Sequence, residues 1–373
     1  MTNDFVPFEL EQIQAAWVNK VELDLSESGV HPMSMRELVQ DPVAIEALVD
    51  TEINYPNVMG DPTLRANIAS LYPGATVDNV LVTVGAIQAN YMALLAVTDP
   101  GDDIAVMQPN YQQFWGLAPN TGRKLSTFTL KGDAGWALDT DELAAAVTPS
   151  TRLVTVVNPN DPTGRIMPAG ERAAVIEAAS RVGAWLLADE VYAGAETHTD
   201  EFTPTFYGDY DKVLAVGSMS KSYRLAGLRI GWVVGPKETV QAMCEWAYYI
   251  TIVSTHFGNK LAAIALSPEV RLRILERTRN YVRRGFDVVQ RWAEARDDVH
   301  LTPPDASPVS VVKYDRDINS TELALRLIRE KSVFVVPGDL FGLDGYVRIN
   351  HGMPDDYVEA ALRRFGDLLD EVG

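Results

Sequence analysis

Apolar runs alternate with amphipathic stretches through the middle of the chain. Seven runs of mainly apolar and β-branched residues predict strands: Val80–Val84, Asp103–Met107, Lys124–Thr129, Arg152–Val157, Ala184–Ala188, Val213–Val216 and Arg229–Val234. Several of these runs are apolar at every position, which is typical of strands buried on both faces. Helices are predicted between them at Ile87–Val97, Thr140–Ala146 and Ala169–Val182. The alternation predicts an α/β fold with a mainly parallel, seven-stranded sheet.

The pattern changes after about Leu266. Three helices and three strands are predicted there: Glu269–Ala295, Ser310–Lys313, Thr321–Lys331, Val333–Val336, Tyr346–Asn350 and Asp355–Val372. This mixture predicts a smaller α+β domain, to which we also assign a helix predicted over Met35–Leu48. We therefore expect a large domain over residues 49–265 and a small domain built from residues 1–48 and 266–373.

Composition narrows the range of partners. The 373 residues include 51 acidic and 32 basic side chains, and the formal net charge of −19 disfavours binding to nucleic acid or to an anionic membrane surface. No apolar run approaches the roughly 20 residues needed to cross a bilayer, and the first residues do not read as a signal peptide, so we expect a cytoplasmic protein. The single cysteine and five scattered histidines predict neither a disulfide nor a metal site.

The chemically most informative segment is Ser218-Met-Ser-Lys221, which follows the apolar run Val213–Val216. Ligands of α/β sheets bind at the carboxyl ends of the strands, where this lysine is predicted to lie. A second apolar run ends in Asp189, and Asn158-Pro-Asn160-Asp161-Pro-Thr-Gly164 follows a third. Taken singly, the Lys221 segment is equally typical of a solvated loop, the acid Asp189 of a helix cap, and residues 158–164 of a tight turn. Their combination favours one shared site.

Together with Tyr346-Val-Arg348-Ile-Asn, these segments resemble the class I/II aminotransferases, a family of fold type I pyridoxal 5′-phosphate (PLP) enzymes, from about Tyr55 to Gly352. The resemblance implies that Lys221 forms a Schiff base with PLP, that Asp189 pairs with the pyridine nitrogen, and that Tyr192 donates to the phenolic oxygen. An acid at the ring nitrogen keeps that nitrogen protonated, so the ring can act as an electron sink. Arg348 matches the arginine that binds the substrate α-carboxylate, a task that suits a bidentate guanidinium.

The resemblance implies further contacts with the cofactor. Phosphate ligands are expected at two places. The first consists of Ser218, Ser220 and Arg229, and the second is a helix N-terminus formed by Gly85, Ala86 and Ile87. Tyr111 matches the ring that stacks on the cofactor, and Tyr55 matches a phosphate contact from a neighbouring subunit, which implies a homodimer. Asp161 stands where the family usually has an asparagine that donates to the phenolic oxygen, and Asn160 is the alternative donor.

The N-terminal segment bears on the substrate. Its run Ser26-Glu-Ser-Gly-Val-His31 resembles the capreomycidine synthases, PLP enzymes that cyclise a hydroxylated arginine. The candidates for substrate contacts all lie in the N-terminal part of the chain. Four acids could bind a guanidinium, namely Glu9, Glu11, Asp24 and Glu27. His31 could act as an acid near the leaving group, and Gly29 is a further candidate contact. Acids near an N-terminus are more often simply solvated. No arginine near Thr251–His256 is placed for the second carboxylate of a dicarboxylic substrate.

Three reactions remain open, namely transamination, elimination with cyclisation, and oxidation by O₂. Transamination is the commonest activity in the family that the chain resembles. A binding or regulatory protein that keeps the fold without catalysis is the non-enzymatic alternative, and the combination of Lys221, Asp189, Tyr192 and Arg348 argues against it. The sequence therefore predicts a PLP-dependent enzyme that acts at the α-carbon of an amino acid, with a cationic, arginine-like substrate as one hypothesis.

Overall fold

The computed structural model describes residues 5–372, and the strands within that range form three sheets. The sheets have eight, four and two strands. In chain order the strands are β1 Leu23–Asp24, β2 Val80–Thr83, β3 Asp103–Gln108, β4 Lys124–Lys131, β5 Ala137–Leu138, β6 Thr151–Val157, β7 Trp185–Asp189, β8 Val213–Ser218, β9 Gly231–Val234, β10 Val299–Leu301, β11 Val309–Tyr314, β12 Val333–Phe334, β13 Val336–Pro337 and β14 Tyr346–Asn350.

Helices connect these strands and cover the sheets. In chain order they are α1 Glu9–Trp17, α2 Met35–Leu38, α3 Pro42–Val49, α4 Pro62–Ala69, α5 Gly85–Val97, α6 Gln113–Asn120, α7 Thr140–Ala146, α8 Ala169–Val182, α9 Lys237–Ile250, α10 His256–Ala265, α11 Pro268–Glu294, α12 Ser320–Lys331 and α13 Asp355–Val372. None of the helices within residues 5–372 combines the length and apolar character needed to span a membrane.

The largest sheet has the strand order β2-β9-β8-β7-β6-β3-β4-β5. All neighbours from β8 to β4 are parallel, whereas β9 is antiparallel to both of its neighbours and β5 is antiparallel to β4. The predicted α/β fold with a mainly parallel sheet is confirmed, and β5 adds a short edge strand to the seven that were predicted. Because β2 runs in the same direction as the parallel strands, all their carboxyl ends lie along one edge of the sheet.

Helices cover both faces of this sheet. Successive strand residues point to opposite faces, and on β6 Leu153 shares a core with Met92 of α5 and Met243 of α9, whereas Val154 shares a core with Val175 of α8. Strands β2 and β8 are buried at every position. The apolar runs in the sequence therefore reflect burial on both faces.

A second core forms around the four-stranded antiparallel sheet β10-β11-β14-β13. Helices α11, α12 and α13 cover it with apolar side chains such as Val289, Leu327 and Phe365. Strand β1 pairs in parallel with β12, which brings Leu23 and Leu25 from the N-terminal segment into the same core. The division of the chain at residues 48 and 265 stays a prediction.

Two segments that were predicted as single elements each form two elements in the structure, so these predictions are wrong. The helix expected over Met35–Leu48 is divided into α2 and α3, because Pro42 starts a new helix whose cap is Asp41, with the carboxylate accepting from the Val43 amide at 3.0 Å. Leu38 and Leu48 pack in one core with Trp232 of the large sheet. The strand expected over Val333–Val336 also divides, since β12 pairs with β1 and β13 pairs with β14.

Candidate active site

A cavity of about 530 Å³ lies at the carboxyl edge of the large sheet. Segments that follow β2, β3, β6, β7 and β8 line it, Arg348 enters from β14, and the N-terminal helix α1 covers one side. Twelve of the residues singled out in the sequence line this cavity: Glu11, Glu27, Ala86, Ile87, Tyr111, Asp161, Asp189, Ser218, Ser220, Lys221, Arg229 and Arg348.

Lys221 follows β8 and extends its ammonium group into the cavity. Its Nζ donates a hydrogen bond to Ser28 Oγ at 2.7 Å. Burial lowers the pKa of Lys221, while the nearby carboxylates of Asp161 and Glu27 act in the opposite direction. A lowered pKa increases the fraction of neutral amine, which is the form that attacks a carbonyl carbon.

Asp189 is the last residue of β7 and lies at the bottom of the cavity. Its Oδ2 accepts a hydrogen bond from Asn90 Nδ2 at 3.0 Å, and its Oδ1 accepts one from the Val191 amide at 3.2 Å. Burial raises the pKa of this carboxyl group to about 6. Both donors are neutral, so a cationic group that approached Asp189 would stabilise its charged form.

An anion site lies where β2 leads into α5. Gly85 begins the helix with a φ of +74°, and a Cβ atom at this position would lie 2.7 Å from Arg229 Nη2. The first amides of α5, the Arg229 guanidinium and the hydroxyls of Ser218 and Ser220 therefore face the same part of the cavity. Ser218 Oγ also accepts a hydrogen bond from the Ser220 amide at 2.9 Å, which fixes the turn before Lys221.

Arg348 and Asp161 form a buried ion pair. Arg348 Nη1 lies 3.0 Å from Asp161 Oδ1 and 3.3 Å from Oδ2, and Nη2 donates to the Ser26 carbonyl at 2.7 Å. Tyr192 lies beside Asp161, and burial raises the pKa of its hydroxyl well above the ordinary value. Within residues 5–372 this hydroxyl has no hydrogen-bond partner. Ser28 and Asp161 are its polar neighbours, and Tyr192 lies behind the residues that line the cavity.

The N-terminal helix α1 forms the cover of the cavity. Leu10 anchors it, being 1% exposed and packed with Val336, Leu340 and Phe341. Tyr111 Oη donates to Glu11 Oε1 at 2.5 Å, which links the cover to the opposite wall. Gln14 Nε2 donates to the Ser26 carbonyl at 2.9 Å. The acids Glu11 and Glu27 thus line the cavity, and both are also exposed, as the sequence favoured for Glu11.

Several predicted contacts lie elsewhere. Asn160 Nδ2 donates to the Pro109 carbonyl at 3.0 Å and its Oδ1 accepts from the Thr163 hydroxyl at 2.7 Å, so this amide holds the turn and leaves Asp161 to face the cavity. Asp24 accepts a hydrogen bond from the Ser26 amide at 2.8 Å and also lies outside the cavity lining. Of the acids predicted to bind a guanidinium, Glu11 and Glu27 therefore line the cavity and Asp24 does not.

Of the remaining four candidates, two have local contacts and two are exposed. His31 stacks on Tyr281 with ring centroids 5.9 Å apart, and the Gly29 carbonyl accepts from Asn350 Nδ2 at 2.8 Å. Neither residue lines the cavity. Tyr55 is 82% exposed on the described chain. Glu9 is exposed as well.

Sequence reasoning missed Ser28 as the partner of Lys221 and Asn90 as the partner of Asp189. A signal for Asn90 was present, because it is a polar residue inside the mostly apolar helix α5 and is 3% exposed. Helix α1 was missed as an element, although Leu10, Ile13 and Trp17 have the spacing of one helical face. The contact of Ser28 could not be read locally, because 193 positions separate it from Lys221.

This site and this fold define a PLP-dependent enzyme of the aminotransferase class I and II family, whose model matches residues 28–365, and the chain belongs to that family. Its cofactor is pyridoxal 5′-phosphate. The residues present fit that cofactor, since the Tyr192 hydroxyl is unpartnered within residues 5–372, Asp189 has only neutral donors, and Gly85 leaves open the space beside Arg229. No group of three or more His, Cys, Asp or Glu side chains arranged for a metal ion occurs among the described residues.

Among proteins of known function, the chain is 30% identical to capreomycidine synthase of Streptomyces vinaceus over 354 residues, covering 93% of this chain and 89% of that one. It is also 30% identical to aspartate aminotransferase of Streptomyces avermitilis, covering 88% and 85%. Arginine–pyruvate transaminase AruH of Pseudomonas aeruginosa is 28% identical, covering 86% and 84%.

Solved structures agree with this assignment. A PLP-dependent aminotransferase from Streptococcus suis superposes with a TM-score of 0.93 at 28% identity, covering 100% of this chain and 99% of that one. The PLP-dependent cyclase OrfR superposes with a TM-score of 0.89 at 25% identity, covering 99% and 98%. The fold type I class predicted from the sequence is confirmed.

Proposed function

We propose that this enzyme acts at the α-carbon of an amino acid with a cationic, arginine-like side chain, by aminotransferase-type chemistry. The observation that carries the proposal is the charge distribution of one cavity, which places Lys221 and Arg348 with the carboxylates of Glu11 and Glu27. A zwitterionic α-carbon group with a cationic tail complements this distribution. One relative, the arginine–pyruvate transaminase AruH, is named for an activity on arginine and supports the same class of substrate.

PLP supplies an electron-withdrawing ring that stabilises negative charge at the substrate α-carbon. Lys221 Nζ would hold the cofactor and, when free, would move the proton at the substrate α-carbon. Asp189 would keep the ring nitrogen protonated, and the Tyr192 hydroxyl would donate to the phenolic oxygen. The first amides of α5, together with Ser218 and Arg229, would bind the phosphate.

Substrate orientation depends on the charged side chains of both signs that line the cavity. Arg348 binds the α-carboxylate, and Glu11 and Glu27 bind the distal cation. Helix α1 excludes water from the reacting carbon, because Leu10 holds the helix over the cavity. Among the described residues, Arg229 and Arg348 are the arginines that line the cavity, which leaves no third guanidinium for a dicarboxylic substrate.

Labelling tests the covalent role of Lys221. Reduction of the holoenzyme with borohydride, followed by peptide mapping, is expected to place the cofactor adduct on this lysine. Lys221→Ala should lose the visible absorbance of the bound cofactor, whereas Lys237→Ala, which removes a surface lysine paired with Asp78, should keep it. An adduct on another lysine would overturn the assignment. Absence of both cofactor binding and turnover in the natural protein would leave the fold as a binding module only.

Charge neutralisation tests the substrate class. Glu11 and Glu27 are exposed in the free protein, so the expected loss applies when the bound substrate shields the ion pair from water: a charge-assisted contact of roughly 1.5–3 kcal/mol then corresponds to about a 10- to 150-fold loss in kcat/KM. We expect Glu27→Gln or Glu11→Gln to show that loss on arginine or hydroxyarginine and little loss on alanine, with Asp24→Asn as the control outside the cavity. Ready turnover of glutamate or alanine, with no reaction of either cationic substrate, refutes the arginine-like class.

The resemblance to capreomycidine synthase favours a second candidate, elimination with cyclisation of an arginine derivative. Mass spectrometry of the products distinguishes the reactions. Transamination requires a keto acid acceptor and yields the keto acid of the substrate. A product formed without an acceptor indicates cyclisation or, where O₂ is consumed, oxidation.

We further propose that the enzyme is a homodimer in which Tyr55 reaches the phosphate of the neighbouring subunit. The support is the exposure of large side chains in two segments of the chain, with Tyr55 82%, Ile53 86% and Tyr249 89% exposed. Light scattering should give twice the mass of one chain. Tyr55→Phe should then weaken PLP binding without changing the mass, and a monomeric holoenzyme with full activity would refute the arrangement.

A further inference from the structure

The guanidinium proposed to bind the substrate carboxylate already has a carboxylate partner inside the chain. The side chains of Arg348 and Asp161 are 2% and 6% exposed, and their closest N–O distance is 3.0 Å. Nη2 of the arginine is bonded to the Ser26 carbonyl, and only Nε lacks a partner within residues 5–372. An entering carboxylate must therefore share Arg348 with Asp161.

The surroundings of Asp161 do not supply a second free cation that could balance the charge of an entering carboxylate. The titratable groups that act on the pair come from the cavity walls and the N-terminal segment: Arg348, Lys221, Tyr192, Tyr111, Asp189 and Glu27. Lys221 is the second cation of this set, and in the holoenzyme it is committed to the cofactor. The remaining groups are acids or phenols, so a further negative charge at Arg348 raises the anionic excess of a buried site.

We infer that a substrate carboxylate binds to Arg348 together with one proton, which Asp161 takes up, so that the pair admits carboxylates in a pH-dependent manner. The inference rests on the proposed carboxylate-binding role of Arg348. Two carboxylates on one buried guanidinium repel each other, and sharing a proton removes that repulsion. Once protonated, Asp161 can donate a hydrogen bond, as the amide usual at this position in the family would do. By linkage, the dissociation constant of the carboxylate then rises about tenfold per pH unit above neutrality.

Calorimetry on the holoenzyme measures this proton directly. The probe is 5-guanidinopentanoate, which carries the carboxylate and guanidinium of arginine but has no amino group to react with the cofactor. Titrations in buffers of different ionisation enthalpy give the number of protons taken up per ligand bound. At pH 7–8 we expect about one proton for the natural protein, and about tenfold weaker binding per pH unit. For Asp161→Asn we expect nearly none, with binding that changes by less than about twofold per pH unit.

Three comparisons make the outcome specific. Asp161 also acts on Lys221, so proton uptake at the cofactor linkage is measured separately in each protein from the visible absorbance of the cofactor and subtracted. Asp24→Asn, which neutralises an acid outside the cavity, should retain the proton uptake. Should Asp161→Asn fail to fold, the natural protein alone decides, because binding without proton uptake overturns the inference.

Failure of the inference can be told from failure of the proposed function. If 5-guanidinopentanoate does not bind, or binds equally well to Arg348→Lys, the carboxylate role of Arg348 is wrong and the inference falls with it. If the probe binds in an Arg348-dependent manner with no proton uptake, only the role of Asp161 is overturned. Proton uptake that persists in Asp161→Asn has the same consequence.

Discussion

Removal of the charge at Asp189 is expected to stabilise the enzyme that lacks its cofactor. Burial raises the pKa of this carboxyl group from 3.8 to about 6, a rise of about 2 units that corresponds to about 3 kcal/mol at 1.36 kcal/mol per unit. Because the folded-state pKa is raised, the ionised carboxylate destabilises the folded apoenzyme. This penalty is absent below about pH 3.8 and complete above about pH 6. At pH 5 about half of it remains.

Asp189→Asn removes the charge but also one hydrogen bond. Asn90 and the Val191 amide both donate to the aspartate, and an asparagine has one side-chain oxygen to accept them. With about 1 kcal/mol for the lost bond, the expected gain in the free energy of unfolding is about 2 kcal/mol at pH 8 and about 0.5 kcal/mol at pH 5. The gain at pH 8 exceeds the gain at pH 5 by about 1.5 kcal/mol, and this difference does not depend on the energy of the lost hydrogen bond.

Urea unfolding of the apoenzyme at both pH values measures this difference. Asp133→Asn, which neutralises an exposed carboxylate, is the control and should change the free energy of unfolding by less than about 0.5 kcal/mol. The holoenzyme should respond in the opposite direction, because added PLP stabilises Asp189→Asn less than it stabilises the natural protein. An Asp189→Asn apoenzyme that is no more stable at pH 8 than at pH 5, relative to the natural chain, would refute the electrostatic reasoning.

Three further predictions concern the phosphate site, the cover and the single thiol. Gly85→Ala places a Cβ 2.7 Å from Arg229 Nη2 at a φ of +74°, and we expect about tenfold weaker PLP binding by fluorescence titration, since left-handed strain of about 1–2 kcal/mol accompanies the clash. Leu10→Ala should loosen α1, which raises KM and speeds hydrogen exchange of residues 9–17, because a buried leucine to alanine change costs about 2–5 kcal/mol. Unchanged exchange would refute the anchoring role. Burial raises the pKa of the Cys244 thiol, so a thiol reagent should label it only after unfolding, and rapid labelling of the native enzyme would contradict its 1% exposure.

The sequence predicted the large sheet well because its strands are buried on both faces, which leaves apolar runs such as Val213–Val216 between turn residues. It predicted Lys221 and Asp189 at one site because both follow such runs, and parallel strands end at a common edge. These features depend on local composition and on one rule of sheet topology. They can be read without any knowledge of side-chain contacts.

The errors arise where long-range pairing decides the outcome. Val333–Val336 reads as one strand, yet its two halves pair with β1 and β14, which are distant in the chain. Asp161 and Arg348 are 187 positions apart, so no local pattern indicates their ion pair. The division of Met35–Leu48 was different, because Asp41 followed by Pro42 is a local helix start that was present in the sequence.

The docking of the N-terminal segment fixes when the cavity is completed during synthesis. The Leu23 amide bonds to the Ser332 carbonyl, and Arg348 bonds to the Ser26 carbonyl across 322 positions. Chains emerge from the ribosome with the N-terminus first, and closing so long a loop has to wait for its second end. A nascent chain can therefore assemble the strands that carry Lys221 and Asp189 while the cavity stays open. The cover is synthesised early but can dock only when Val336, Leu340 and Phe341 have been made, at about the same stage as the proposed carboxylate-binding Arg348. An unfinished chain therefore cannot enclose a substrate.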